Sequence, residues 1–339
     1  MHAGFSAGRV MTKFSILDLS SVTEGGSVRQ SLHNSLDLAQ HAEGWGYHRY
    51  WLAEHHNFPG IASAATSVVI GHVAAGTKTI RVGAGGIMLP NHSPLQIAEQ
   101  FGTLEALSPG RIDLGVGRAP GTDMVTVNAL RRNLDGDVNQ FPRDVLELLR
   151  FLDDPEPGQA VVATPGASSH VPVWILGSSL FGAQLAASLG LPYAFASHFA
   201  PAQMQEAIEL YRHRFSPSKY LDKPYVMLGF NVIAADTTDE AEYLASSVRR
   251  GFVNLRRGTP GKLQPPSENY LDELSPADQA LLSQIMVCSA VGDSALVTEK
   301  LQRFIGQTEA DELMVASQIY SHEARLRSYE LAAGIMESL

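Results

Sequence analysis

Arg111-Ile112-Asp113-Leu114-Gly115-Val116-Gly117-Arg118 is the stretch from which the rest of the chain can be read. Ahead of it, Leu107-Ser108-Pro109-Gly110 stops a helix. Ile112, Leu114 and Val116 then alternate as in a strand with one buried face. The strand closes on Gly117-Arg118 and runs into Ala119-Pro120-Gly121, which leaves bare backbone beside a permanently charged fork. That pairing suits a phosphate or a carboxylate. Taken alone, it reads equally well as a surface arginine after a strand.

The same strand-then-helix unit recurs in both directions. Towards the N-terminus, strands are expected over 14–19, 50–53 and 80–88, with helices over 31–43, 64–76 and from Pro94 onwards. Ser93, Pro94 and Gln96 look like an N-cap, an N1 proline and the closing residue of a capping box. Towards the C-terminus, a helix over 138–152 precedes a Pro-, Gly- and Ser-rich loop over 153–169 with a short hairpin at Val161. Strands over 173–176, 193–196, 225–234 and 313–316 follow, each leading into a helical pattern, the last over 322–337. Gly190 ends one of these helices, and Thr237 with Glu240 caps another. Eight such units require parallel strands with right-handed crossovers, and eight close into a (β/α)8 TIM barrel with insertions in its βα loops. A doubly wound open sheet would need a glycine-rich switch point after the first strand, and the sequence has none. One barrel domain is therefore expected over 11–339, with 1–10 a tag remnant or extension. The segment Arg249–Pro276 reads as a long loop and a candidate lid.

Composition narrows the function. The net charge of −10 disfavours nucleic-acid and anionic-membrane surfaces. No apolar run is long enough for a membrane helix. The single cysteine, Cys288, sits among apolar neighbours and reads as a small buried hydrophobe, and a reducing, cytoplasmic setting fits.

In a barrel the working face is where strands end. Glu54-His55-His56, Gly83-Ala84-Gly85-Gly86, Gly117-Arg118, Gly177-Ser178-Ser179 and Ser197-His198 all fall there. Gly177-Ser178-Ser179 offers free N–H groups and hydroxyls to an anion; paired with Arg118 it reads as a phosphate site. Glycines inside a strand imply a close approach, either a flat ring laid over the backbone or a bulge. Of the adjacent histidines, one is an acid, base or donor candidate and His56 reads equally as structural, because successive side chains on a strand diverge. A metal-dependent hydrolase built on His55, His56 and His198 is a competing reading, and no metal ligand set is assigned.

These motifs, in this order, resemble the bacterial luciferase-like flavin-dependent monooxygenases. The resemblance is carried by Ala53-Glu54-His55-His56-Asn57, by Val82 to Pro90 and by Gln100 to Arg118. Trp174 to Ser179 and Ala196 to Pro201 resemble an uncharacterised single-subunit branch. The resemblance implies a barrel that takes up reduced FMN from a separate flavin reductase. With O2, by way of a flavin peroxide, it would oxidise a small apolar organic substrate. It implies His55 and Glu54 as the catalytic pair, Glu54 as hydrogen-bond partner, and a cis Gly85–Gly86 bond under the flavin. Arg118, Gly177, Ser178, Ser179 and His198 are then cofactor-binding. Light-emitting members carry a reactive cysteine before the arginine, where this chain has Gly117, and an acidic residue in place of Ser178. A homodimer through the second and third helices is implied as well. Hydride transfer with deazaflavin F420 and flavin binding without turnover remain alternatives.

Overall fold

The computed structural model describes residues 11–119, 124–130 and 140–339. The extension over 1–10 and the first residues of the helix expected over 138–152 lie outside them. The strands are β1 (Lys13–Asp18), β2 (Arg49–Leu52), β3 (Arg81–Met88), β4 (Ile112–Gly117), β5 (Val173–Gly177), β6 (Tyr193–Phe195), β7 (Val226–Ala234), β8 (Ser289–Gly292) and β9 (Glu312–Ala316). The helices are α1 (Val28–Gly44), α2 (Thr66–Gly76), α3 (Pro94–Leu107), α4 (Met124–Leu130), α5 (Phe141–Leu152), α6 (Leu180–Leu189), α7 (Met204–Arg214), α8 (Thr238–Arg256), α9 (Pro276–Ile285), α10 (Ser294–Thr308) and α11 (His322–Met336). Every strand pairing between these elements is parallel. The order β6-β5-β4-β3-β2-β1-β9-β7, with β6 also paired to β7, closes eight strands into the (β/α)8 barrel that the alternation predicts.

The ninth strand, β8, is an addition that the sequence pattern did not reveal. It pairs only with the C-terminal half of β7, Asn231 to Ala234. The strand expected over 313–316 is therefore β9, eighth in the barrel. The expected loop Arg249–Pro276 is also corrected. Helix α8 runs on to Arg256, held by Thr237 at its start and by burial of Val248, Phe252 and Val253. Arg249 and Arg250 lie within it, and the loop proper begins beyond Arg256. That loop is pinned rather than loose: Leu263 exchanges backbone hydrogen bonds with Val22 (2.9 Å) and Glu24 (2.8 Å). Two smaller expectations fail: Ser93 precedes α3 without a side-chain cap, and Val161 lies in no strand.

Alternation divides the barrel into an outer and an inner set of side chains. Phe14, Ile16, Tyr50, Leu52, Ile112, Leu114 and Val116 pack outwards with the helices in one large apolar cluster. Leu17, Trp51, Ala53, Trp174, Ala194, Met227 and Met314, from six different strands, fill the interior. Beneath them, at the N-terminal ends of the strands, lies a buried ionic layer. Arg49, 7% exposed, donates to Asp113 and Glu312, both at 2.8 Å, and its guanidinium lies 4.7 Å from the Trp174 ring centre. Arg81 adds a 2.6 Å bond to Asp113; Tyr225 (2.9 Å) and Ser15 donate to Glu312. Burial alone would raise the Asp113 pKa, but Arg49 and Arg81 more than offset it and leave it lowered.

Removing one member of such a layer strands the others. Arg49→Met keeps the volume but leaves Asp113 and Glu312 short of their shared cation, and should cost about 3–5 kcal/mol of unfolding free energy. Arg303→Ala, which breaks an exposed pair with Glu299, should cost less than about 0.5 kcal/mol. Urea titration of the two variants checks the contrast; comparable losses would mean the inner layer is not what ties the barrel base together.

Candidate active site

The residues singled out from the sequence sit at or just beyond the C-terminal ends of five neighbouring strands, β2 to β6, so the fold brings them to one mouth. Chain order places them there, because each strand delivers its last residues to the same rim before the following helix turns back.

At the end of β3 the Gly85–Gly86 peptide is cis, as the resemblance implies. The pairing of β3 with β4 shifts register between Ala84 and Ile87. A Cβ on Gly85 would come within 2.8 Å of Leu17 Cδ1, and one on Gly86 within 2.6 Å of the Gly115 carbonyl oxygen. Neither position has room for a side chain, so the floor of the mouth beside β3 is bare backbone over the Trp51 and Leu176 side chains.

On the far side of β4, Arg118 lies with its guanidinium carbon 4.3 Å from the Phe181 ring centre, in the first turn of α6. This stacking sets the fork beside Gly177-Ser178-Ser179. Ser179 occupies the N-cap position of α6 with no side-chain capping bond, and Ser178 is exposed. The first N–H groups of α6 and a stacked arginine therefore share one patch, an arrangement suited to a phosphate. Phe181, which holds the arginine, was not foreseen; its place in the sequence gave no sign of a partner on another strand.

Beyond β2 the two histidines lie in a loop rather than on the strand, and only one of them joins the Glu54 cluster. His56 turns to Glu54, with Nε2 2.7 Å from Oε1. His92, beyond the end of β3, brings its Nε2 to within 2.8 Å of the same oxygen, and the Met88 N–H donates to Oε2 at 3.0 Å. Burial would raise the Glu54 pKa, but these hydrogen bonds and the His92 charge outweigh it and hold the carboxyl at about 2. Glu54 thus ties the β2 loop to the end of β3. Its oxygens are taken up by hydrogen bonds from the protein itself. Glu54, His56 and His92 are also the one set of ligand atoms close enough for a metal among the described residues. His55 and His198 stand outside it, so the hydrolase reading based on those two with His56 has no cluster to rest on.

His55 takes no part in the Glu54 cluster; its ring is edge-on to Phe58, with ring centres 6.0 Å apart. Burial lowers its pKa more than the adjacent Glu54 charge raises it. His198, at the end of β6, is lowered to about 4, by burial first and by His55 second. Both imidazoles are accordingly neutral at pH 7.

A family model described as luciferase-like monooxygenase matches residues 12–312. A luciferase-like monooxygenase of Escherichia coli (strain K12) is 56% identical over 326 residues, spanning 96% of this chain and 97% of the relative. The N-acetyl-S-alkylcysteine monooxygenase of Bacillus subtilis (strain 168) is 33% identical over 329 residues, spanning 95% and 97%. The crystal structure of apo-MsnO8 superposes with a TM-score of 0.90 at 35% identity, over 96% of this chain and 98% of that one.

The Glu54 clamp has a pH signature. Its folded pKa lies below the ordinary value of 4.5, so its contribution is present above pH 4.5 and is lost as pH falls towards about 2. At roughly 1.4 kcal/mol per pKa unit the amount is on the order of 3 kcal/mol. Glu54→Gln should remove this part of the acid-side slope; if urea titrations across that range give both proteins the same slope, the clamp contributes no linkage.

Proposed function

The chain belongs to the luciferase-like monooxygenase family, and we propose that it binds reduced FMN, delivered by a separate reductase, and uses O2 to oxidise a small apolar organic substrate. The observation that carries the cofactor reading is Arg118 stacked on Phe181 at the uncapped start of α6, beside Ser178 and Ser179. The residues fit the group at both ends. One end offers a cationic fork and helix N–H groups to a phosphate. The other offers a floor without side chains at Gly85–Gly86 and two half-buried imidazoles.

Bound reduced FMN would supply the two electrons with which O2 is activated, one oxygen atom entering the substrate and the other leaving as water. The protein's part is to hold, orient and keep dry. Arg118, Ser178 and Ser179 would anchor the phosphate. Gly85 and Gly86 would let a flat ring lie against the backbone. His55, neutral and fixed beside Phe58, would hold or move a proton at the reacting face. Leu19 and Ala53, packed with the inner apolar cluster, would give the mouth apolar walls, and the pinned loop beyond α8 reaches the β1 loop.

The cofactor reading is tested by anaerobic titration with reduced FMN and reduced riboflavin, followed by mixing with oxygen. The native protein should bind reduced FMN and prefer it to riboflavin. Arg118→Ala should reduce that preference by about 10- to 100-fold, the worth of a charged hydrogen bond, while riboflavin affinity stays nearly constant. Equal affinities for the two flavins in the native protein, or binding of deazaflavin F420 instead, would sink the FMN reading.

We also propose a homodimer through α2 and α3. Helix α2 is largely apolar beyond its first turn, His72 apart, yet turns Val68, 71% exposed, outwards with Ala75, and α3 ends on Leu107, 75% exposed. Light scattering should give twice the chain mass, and Val68→Glu should lower it; a native monomer would end this reading.

A further inference from the structure

His198 is held by a socket that the phosphate end and the Glu54 clamp do not require. Ser197 Oγ donates to the Gly229 carbonyl at 2.6 Å, and Asn231 Nδ2 donates to the His198 carbonyl at 2.6 Å and to Ser289 Oγ at 3.2 Å. The ring packs edge-on to Phe199, with centres 5.0 Å apart. It fills the space that a side chain on Gly229 would need: a Cβ there would overlap Nδ1 and come within 3.1 Å of Cγ. Three inward or rim positions of β6 and β7 are thus given over to placing one imidazole.

The socket also decides where that ring carries its proton. His198 Nδ1 is buried and has no hydrogen-bond partner among the described residues, and the same is true of His55 Nδ1. A neutral imidazole has one N–H. Sealed Nδ1 lacks a partner in either tautomer; an N–H there would be an orphaned buried donor, whereas an N–H on Nε2 leaves a bare acceptor in the socket, the less rare of the two in protein interiors. Nε2 is not sealed in this way in either ring, so an N–H there can meet water or a ligand. Burial keeps both rings from taking a second proton. The strands that deliver them, β2 and β6, are four apart in the eight-stranded ring and so stand on opposite sides of the mouth.

We propose that His198 is a second catalytic residue, forming with His55 a pair of neutral imidazoles, each protonated at Nε2, that donate from opposite sides of the barrel mouth to an oxygen atom gaining negative charge. Fixed donors around a developing oxyanion lower a barrier because they need no reorganisation as charge appears. Neither ring forms or breaks a covalent bond in this role, and each keeps its proton. Ser197, Gly229 and Asn231 are positioning residues for His198. The inference rests on the oxidative reading of the site but makes a claim about the free protein that stands apart from it.

The test is long-range proton–nitrogen correlation NMR on uniformly 15N-labelled, flavin-free protein at pH 7, with the rings assigned by loss of signals in His55→Gln and His198→Gln. The expected result is an unprotonated Nδ1 and a protonated Nε2 in both rings. A protonated Nδ1, or shifts averaged between the two forms, would overturn the proposal. Gly229→Ala, allowed by the backbone but not by the ring, should convert His198 alone to the averaged pattern; an unchanged His198 would remove the socket. A second arm follows the oxidation of bound reduced FMN by O2. His198→Asn, whose amide reaches only the Nδ1 position, should slow it about 100-fold, the usual cost of one oxyanion donor. His198→Gln, whose amide reaches towards Nε2, should recover most of the rate. Equal losses in both variants would reduce His198 to a packing role. Failure of reduced FMN to bind, with both rings protonated at Nε2, would count against the flavin reading while supporting the donor pair.

Discussion

The interior of this barrel is organised by a shortage of space on one side of it. From β3 and β4, glycine stands at position after position facing inwards. A Cβ on Gly83 would come within 2.5 Å of the Asp113 carbonyl oxygen and 2.8 Å of the Trp51 indole nitrogen, and one on Gly115 within 2.6 Å of Leu176. The volume those side chains would have used is taken by residues from the facing strands: Trp51, Trp174, Leu17 and Leu176. Two indoles meeting edge to face, 5.2 Å between ring centres, make a rigid plug in place of a ring of medium-sized aliphatics. Below the plug there is room only for a compact ionic layer. Above it there is a floor of bare backbone, on which a mouth can be built.

The two ends of the barrel treat buried charge in opposite ways. At the base, Arg49 is shared between Asp113 and Glu312, and every charge has a charged partner. At the mouth, Glu54 is satisfied by two histidines and a backbone N–H, while His55 and His198 are kept neutral by burial. The difference follows from what each end must do. A paired ionic layer favours one strand arrangement strongly and is chemically silent. A neutral imidazole in a dry pocket remains able to donate a proton or a hydrogen bond. The clamp on Glu54 connects the two demands, since it fixes the loop that carries His55 while burial at that ring still outweighs the neighbouring carboxylate charge.

Much of this was legible in the sequence because it is local. Alternation in Ile112 to Val116 and its repeats gave the strands, and the placement of polar residues just beyond them gave His55, Arg118, Ser178, Ser179 and His198. The rest was not legible, for a consistent reason. His92 lies 38 residues from Glu54 and Phe181 lies on a different strand–helix unit from Arg118, so no spacing rule joins them. Strand β8 has four residues and borrows half of β7, which leaves too short a pattern to detect. The basic run Arg249-Arg250 looked like loop because charge masks an amphipathic face. Yet Arg249 is paired to Glu242 at 2.6 Å and Arg250 reaches Gln264 and Ser267, so both serve the packing of α8.

Gly229 shows how a residue without chemistry can nonetheless determine the chemistry of a site. Its backbone geometry is ordinary, and nothing in its immediate sequence, Leu228-Gly229-Phe230, marks it. The missing Cβ is what admits the His198 ring between β6 and β7, and the tightness of that fit is what seals Nδ1. Sealing one nitrogen then favours the tautomer that keeps the ring's single N–H on the other, because an orphaned buried N–H is harder to accommodate than a bare acceptor. The sequence of causes runs from an absent methyl group to a ring position, from ring position to proton position, and from proton position to the kind of hydrogen bond the mouth can offer.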